Sequence, residues 1–305
     1  MWRYFSYRLL QIPLVLLIIS LMIFVLVYIA GDPVALMLPA EATQQEVQQL
    51  RAALGFDQPF YIQFWNYMID LIKGDFGESY KYGVGALSLV LERMPATFEL
   101  ATASMIIAVV IAVPLGIISA IKPNSIIDLF ATSLSVLGKA IPNFWLGIML
   151  ILVFAVNLKI MPVSGTGSWK HIILPAITLG TAVSAQITRL VRSNMLEILQ
   201  QDYIRTAKSK GQKKSVIIFK HAFRNSLVPV ITITLLQLAS LVGGALITEM
   251  IFAWPGVGQL IIQAVYDKDL PIIQAAVFVT AVIILFMNLF SDILYRFLDP
   301  RIKFN

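Results

Sequence analysis

"DYIRTAKSKGQKKSVIIFKHAFRNSLVP", residues 202–229, decides how the chain is read. From Arg205 to Arg224 it carries seven Lys/Arg and no acid. Apolar runs long enough to cross a bilayer flank it, Ile172–Met195 before and Leu227–Phe252 after. The whole chain fits that setting: of 305 residues 58% are hydrophobic and 13% charged, with a mean hydropathy of +0.82. A soluble domain carries about 25% charged residues. The fold class is therefore an all-α polytopic membrane protein; a closed β-barrel would show short alternating segments instead.

Six spans are expected: Leu9–Ala30, Thr97–Ile121, Leu129–Leu158, Ile172–Met195, Leu227–Phe252 and Ile272–Leu298. The first would be about 33 Å long at 1.5 Å per residue, too long for the apolar region of a cleaved signal, so it reads as an anchor. Segments 1–8, 122–128, 189–226 and 299–305 hold fourteen Lys/Arg, including Arg3, Arg8, Lys122, Arg189, Arg192, Arg301 and Lys303. The opposite set, 31–96, 159–171 and 253–271, holds seven although it is longer. The positive-inside rule then puts both termini and the quoted loop in the cytoplasm. The net charge of +6 thus reflects topology and gives no reason to expect nucleic acid as a partner; the bilayer is the partner.

The chain divides into an N-terminal transmembrane helix (1–30), an extracytoplasmic segment (31–95) and a five-helix core (96–300) that includes the loop 196–226. Within the second part, Thr43 and Glu46 make a capping box, Val47, Leu50 and Leu54 form a stripe, and Gly55 is a helix stop. A second stripe, Tyr61, Phe64, Trp65, Met68, Ile69 and Ile72, ends at Lys73-Gly74. Two short helices lying against the membrane face or the bundle would satisfy both patterns.

Catalytic constellations are missing. Gly138-Lys139 is followed by Ala140, and Ser133 stands where the first glycine of a P-loop belongs, so the chain has no P-loop for ATP. With no cysteine and two histidines, His171 and His221, expected on opposite sides of the membrane, no metal site or nucleophile–base set forms. Glu99, Glu249, Asp292 and Arg296 lie close enough to span ends to snorkel. Lys139 is deeper and needs a partner, a water-filled cavity or a long reach to the interface. Next to it Pro142-Asn143 breaks the third span, either to line a cavity or to make a packing kink. Gly243-Gly244 with Ala239, Ser240 and Ala245 offers a face for close helix contact. Lys139, Pro142, Asn143, Gly243 and Gly244 are the candidate pathway residues.

A loop that only set topology would need scattered charges. This one is ordered: Met195–Ala207 reads as a helix continuing the fourth span, Gly211 allows a sharp turn, and Ser215–Ala222 reads as a second short helix. Pro229 then falls in the first turn of the fifth span. The result is a helix–Gly–helix elbow, either a docking element or a positive-inside anchor.

The arrangement "DYIRTAKSKG…FKHAFRNSLVPVIT" resembles the EAA loop of ABC-transporter permeases, in the form carried by the dipeptide/oligopeptide/nickel branch. Arg205, Thr206 and Ala207 take the Glu-Ala-Ala places, with Gly211 at the glycine. "GDP" at 31–33, "LGFDQPFYIQFWNY" at 54–67, "GDFGES" at 74–79, "RMPATFELA" at 93–101, "IPNFWLG" at 141–147 and "EMIFAWPGVGQL" at 249–260 extend the resemblance along the whole chain. Lys139 departs from it, since relatives more often have a small or hydroxyl residue there.

The resemblance implies a type I ABC importer permease in a bacterial cell membrane, a transport subunit that is not itself an enzyme and binds no cofactor of its own. Its partners would be a second homologous permease, two cytoplasmic ATPases holding ATP and Mg, and an extracytoplasmic binding protein delivering substrate. Asp202, Tyr203, Arg205, Thr206, Ala207, Lys210, Gly211, His221, Arg224 and Asn225 would form the coupling loop. Di- or oligopeptides lead as substrate, with nickel or a metal chelate as the alternative. An ion-coupled secondary carrier would instead need matched broken-helix or acidic sites in both halves, and no such pair is found.

Overall fold

The computed structural model describes residues 2–30, 34, 38, 42–53 and 55–298. The "GDP" stretch, Leu54, Arg301 and Lys303 lie outside the described residues. The architecture among the described residues is helical, with one isolated bridge pair between Glu78 and Gly85. Among the described residues five helices are long and apolar enough to cross a membrane, or six when the bent pair Ile126–Ala140 and Asn143–Asn157 counts as one span.

Two compact units are distinguished, residues 1–95 with 256–285, and residues 96–255 with 286–305. In the first, α1 (Trp2–Ala30) meets α3 (Phe60–Lys73) through rings: Phe24 lies 5.3 Å from Phe60, 5.4 Å from Phe64 and 5.4 Å from Tyr67 between centroids. Of the stripe expected from the sequence only Phe64 takes part in these contacts; Phe60 and Tyr67 are not part of it. Tyr61, Trp65, Ile69 and Ile72 of that stripe are exposed instead, and the Tyr61 and Trp65 rings are suited to a membrane interface. Before it, α2 (Gln44–Ala53) carries the expected capping box: Thr43 N donates to Glu46 at 2.8 Å, and Glu46 N donates to Thr43 Oγ1 at 3.3 Å. Gly55 and Gly74 take φ of 72° and 78°, the left-handed values a helix stop requires.

The core of this unit gathers Phe76, Val90, Met94, Leu260 and Ile272, from the turn after α3, the start of α4 (Ala86–Ile121), α10 (Val257–Asp267) and α11 (Leu270–Leu298). Asp269 pins the turn. Its carboxylate accepts from Ser79 Oγ at 2.5 Å and from Lys81 N at 3.2 Å, while Lys81 Nζ pairs with Asp267 at 2.6 Å. Burial, with Asp269 nearby, pushes the Tyr80 phenol up to about 12.

The second unit is organised on α7 (Lys170–Leu199), against which α5 (Ile126–Ala140), α6 (Asn143–Leu150) and α9 (Arg224–Gly244) all pack. Small residues permit the closeness. A Cβ on Gly180 would stand 2.8 Å from the Ser104 carbonyl oxygen, and one on Gly116 would stand 2.7 Å from the Val191 side chain. With no hydrophobic drive between helices in lipid, such approach is what holds a bundle together. Hydroxyls along α7 return to their own helix: Thr178 to Leu174 O at 2.8 Å, Thr181 to Ile177 O at 2.6 Å and Thr188 to Ser184 O at 2.8 Å.

Several sequence expectations change. The third span is not kinked at Pro142 but turned through 103°, with Pro142 capping α6 rather than sitting inside a helix. A proline restricts the residue before it to extended backbone, and Ile141 obliges with ψ of 124°. The helix from Met195 to Ala207 is interrupted: α7 stops at Leu199, and Gln201 is extended at ψ of 150° before α8 (Asp202–Ser209) begins. The second arm of the elbow, by contrast, does not stop. Val216–Phe223 forms a π-helical stretch that runs directly into α9, so Pro229 stands within a helix instead of opening one. Gly243 and Gly244 are exposed in this chain, and a Cβ on Gly244 would meet nothing within 4 Å; the close contacts belong to Gly116 and Gly180. Glu249 is fully buried and does not snorkel.

Candidate functional site: the basic elbow and its clamp

The elbow is built from two helical arms closed on a small apolar nest. Ile204 and Ala207 of α8 are buried, as are Ile217, Ile218 and Ala222 of the π-helical arm, and the two arms pack together. Polar ties cross the same gap. Asn225 Nδ2 donates to Tyr203 Oη at 3.0 Å and, within its own arm, to the His221 carbonyl at 2.8 Å, while His221 Nε2 bonds Gln212 Oε1 at 2.7 Å. Gly211 forms the corner at φ of +71°, where a Cβ would meet nothing within 4 Å. The glycine is therefore required by backbone conformation and not by space. Its N–H closes on Lys208 O at 3.0 Å.

Outside the nest the surface is basic. Arg205, Lys208, Lys210, Lys213, Lys214, Lys220 and Arg224 are all exposed, as are Thr206, Tyr203 and Phe219. Asp202 is exposed too, and its contact with Arg205 at 3.6 Å is a solvent pair of little energetic weight. Thr206 turns its hydroxyl back to Asp202 O at 3.0 Å. All ten residues expected of the loop thus come together in one compact element: Ala207 faces inward, Tyr203, Gly211, His221 and Asn225 fix its shape, and Asp202, Arg205, Thr206, Lys210 and Arg224 face outward.

Sequence reading missed what clamps α7 on the way to the elbow. Arg192, counted only as a topological charge, makes a two-pronged pair with Asp128 of α5: Nε to Oδ1 at 2.6 Å and a terminal nitrogen to Oδ2 at 2.8 Å. The Asp128 side chain is 6% exposed and that of Arg192 30%. Ser119 of α4 donates to the same carboxylate, and Asn124 N donates to it at 2.9 Å. Planar guanidinium and carboxylate match in such forks, so three helices are tied at one point. The available signal was Ser125 three residues ahead of Asp128, a helix start in which Ser125 Oγ accepts from Asp128 N at 3.2 Å.

A second missed link joins two of the quoted stretches. Thr97 of "RMPATFELA" donates to Glu249 of "EMIFAWPGVGQL" at 2.8 Å, and Trp254 Nε1 donates to Ala96 O at 2.8 Å. Lys139 is exposed in the last turn of α5, beside the Pro142–Asn143 bend, and the structure does not bring it together with Gly243 and Gly244 by any described bond. Among the described residues no cluster could hold a metal ion.

Residues 112–304 match the family described as binding-protein-dependent transport system inner membrane component, and residues 1–101 match the N-terminal family of the same systems. The chain belongs to this family. The permease is 41% identical to the oligopeptide transport system permease protein AppB of Bacillus subtilis (strain 168), over 97% of each chain. It is 38% identical to the dipeptide transport system permease protein DppB of Alkalihalophilus pseudofirmus and 37% identical to the glutathione transport system permease protein GsiC of Escherichia coli (strain K12), in both cases over the full length of each chain. Among solved structures it resembles inward-facing conformations of the MetNI methionine ABC transporter, with a TM-score of 0.58 at 21% identity, over 69% of this chain and 96% of that one. That likeness establishes a type I ABC importer permease fold. The permease is a multi-pass membrane protein and a transport subunit, distinct from the ATP-binding subunits with which such membrane components work.

Proposed function

We propose that this permease forms half of the translocation pathway for di- or oligopeptides in a bacterial cell membrane, with both termini and the elbow in the cytoplasm. One observation carries the reading: a rigid, basic elbow with an apolar heart, presented on the Lys/Arg-rich side. Side chains and backbone conformation fix its shape before any partner arrives, which lowers the ordering penalty of docking. The partners are a second homologous permease, two ATPases beneath them that bind ATP and Mg, and an extracytoplasmic binding protein. When the ATPases close on ATP, elbows seated in their grooves move as levers and turn the spans from inward-open to outward-open. The peptide substrate is supported by three relatives of 37–41% identity named for oligopeptide, dipeptide and glutathione transport.

Transport is tested in proteoliposomes carrying the whole complex. ATP together with loaded binding protein should drive accumulation of a labelled dipeptide, while nickel ions should not accumulate. Nickel uptake without peptide uptake would transfer the permease to the metal-importing side of the branch.

Orientation has a separate test on this cysteine-free chain. A cysteine at Gln212 should react with a membrane-impermeant thiol reagent only in inverted vesicles, and one at Gln48 only in intact cells. External labelling of the Gln212 position would overturn the topology and, with it, the role of the elbow.

A further inference from the structure

Two glutamines meet half-way along the long helices of the second unit. Gln186 of α7 and Gln237 of α9 bond amide to amide, Gln237 Nε2 donating to Gln186 Oε1. Each stands thirteen residues from the basic end of its helix, Gln186 ahead of Leu199 and Gln237 after Arg224. At 1.5 Å per residue both are about 20 Å from that end, inside a hydrocarbon core about 30 Å thick.

The hydroxyls along α7 need nothing from them. The hydroxyls of Thr178, Thr181, Ser184 and Thr188 are satisfied by carbonyls of α7 itself. A primary amide offers two N–H donors and two acceptor positions, and the pair uses one donor from one residue and one acceptor from the other. Among the described residues neither glutamine has a second hydrogen-bond partner, and both are half-exposed. Facing lipid, the remaining N–H groups would go unsatisfied at heavy penalty. The open side of the pair therefore faces water or protein.

We propose that Gln186 and Gln237 line the translocation pathway and recognise the backbone amides of the passing peptide. The inference rests on the peptide-import reading above. An amide–amide pair presents the same donor and acceptor as two peptide groups. A backbone N–H and C=O can thus enter the pair and leave every amide satisfied, whatever side chains the substrate carries. The readout is of the peptide bond and is indifferent to sequence.

The test uses the reconstituted complex with saturating, fully loaded binding protein, so that discrimination by that protein drops out. ATP hydrolysis is compared for a dipeptide and for its ester counterpart with the same side chains, which lacks the N–H. The wild type should turn over about tenfold faster with the amide, the upper end of the net weight of one hydrogen bond. Gln186→Leu/Gln237→Leu removes both amides together and strands neither, and it should bring the ratio to about one. Gln186→Asn, which withdraws the amide by one methylene, should give an intermediate ratio and carries the test if the double variant fails to assemble. An unchanged ratio in whichever variant assembles would mean that the pair only joins two helices, and would overturn the proposal. Equal rates for amide and ester in the wild type would overturn it too, with peptide import intact. No stimulation by either substrate in the wild type would remove the peptide reading and this inference together.

Discussion

Arg192→Ala will destabilise the permease by about 3 kcal/mol, the low end of the range for removing one partner of a buried pair. The carboxylate of Asp128 would stay in place, since Ser119 and Asn124 hold it, but its counter-charge would be gone. The partial exposure of Arg192, 30%, admits some water and keeps the effect from the top of that range. The reciprocal change that also removes the carboxylate, Asp128→Leu with Arg192→Met, should recover most of the loss, because no charge is then left alone. Melting of the purified protein in detergent measures both. An Arg192→Ala variant that melts with the wild type would show that Asp128 is hydrated and that α4, α5 and α7 are held by packing alone.

Ala207→Asp should lower recovery of the ATPase subunits on co-purification by tenfold or more while leaving membrane insertion unchanged. Ala207 is buried, as are Ile204 of its own arm and Ile217, Ile218 and Ala222 of the arm packed against it. A carboxylate there must either be buried without a partner or force the arms apart. The spans should tolerate this because the nest belongs to the elbow. Ala207→Ser is the control: its hydroxyl can return to the carbonyl of Tyr203, one turn back, as Thr206 and Ser209 already do four residues back. Full recovery of the ATPases with Ala207→Asp would mean that the elbow is not gripped by them.

Most of the span pattern was legible because the bilayer makes length and apolarity sufficient for a helix. The capping box at Thr43 and Glu46 and the turn at Gly211 were legible because each is set by a few neighbouring residues. What failed to show were interactions that depend on which helices become neighbours. Asp128 and Arg192 are sixty-four positions apart, and nothing local to either marks them as partners. Glu249 read as a snorkelling acid because its distance from a span end was visible, whereas Thr97 beside it was not. The 103° turn at Pro142 was underestimated for a related reason. A proline fixes one dihedral and removes one donor, but the sharpness of the bend depends on α6 having α7 to pack against.

In the proposed function the elbow transmits ATPase closure to the spans. Gly211→Val places a β-branched residue at φ of +71°, a conformation costing such a side chain about 1–2 kcal/mol. The corner must open to relieve it, and the lever loses its shape. The direct test is simultaneous measurement of substrate-stimulated ATP hydrolysis and uptake in reconstituted complex carrying Gly211→Val. The variant should insert and receive loaded binding protein, while its ATP hydrolysis no longer responds to substrate and uptake falls at least tenfold. Uptake and stimulation at wild-type levels would contradict the account and leave residues 202–229 as a topological anchor.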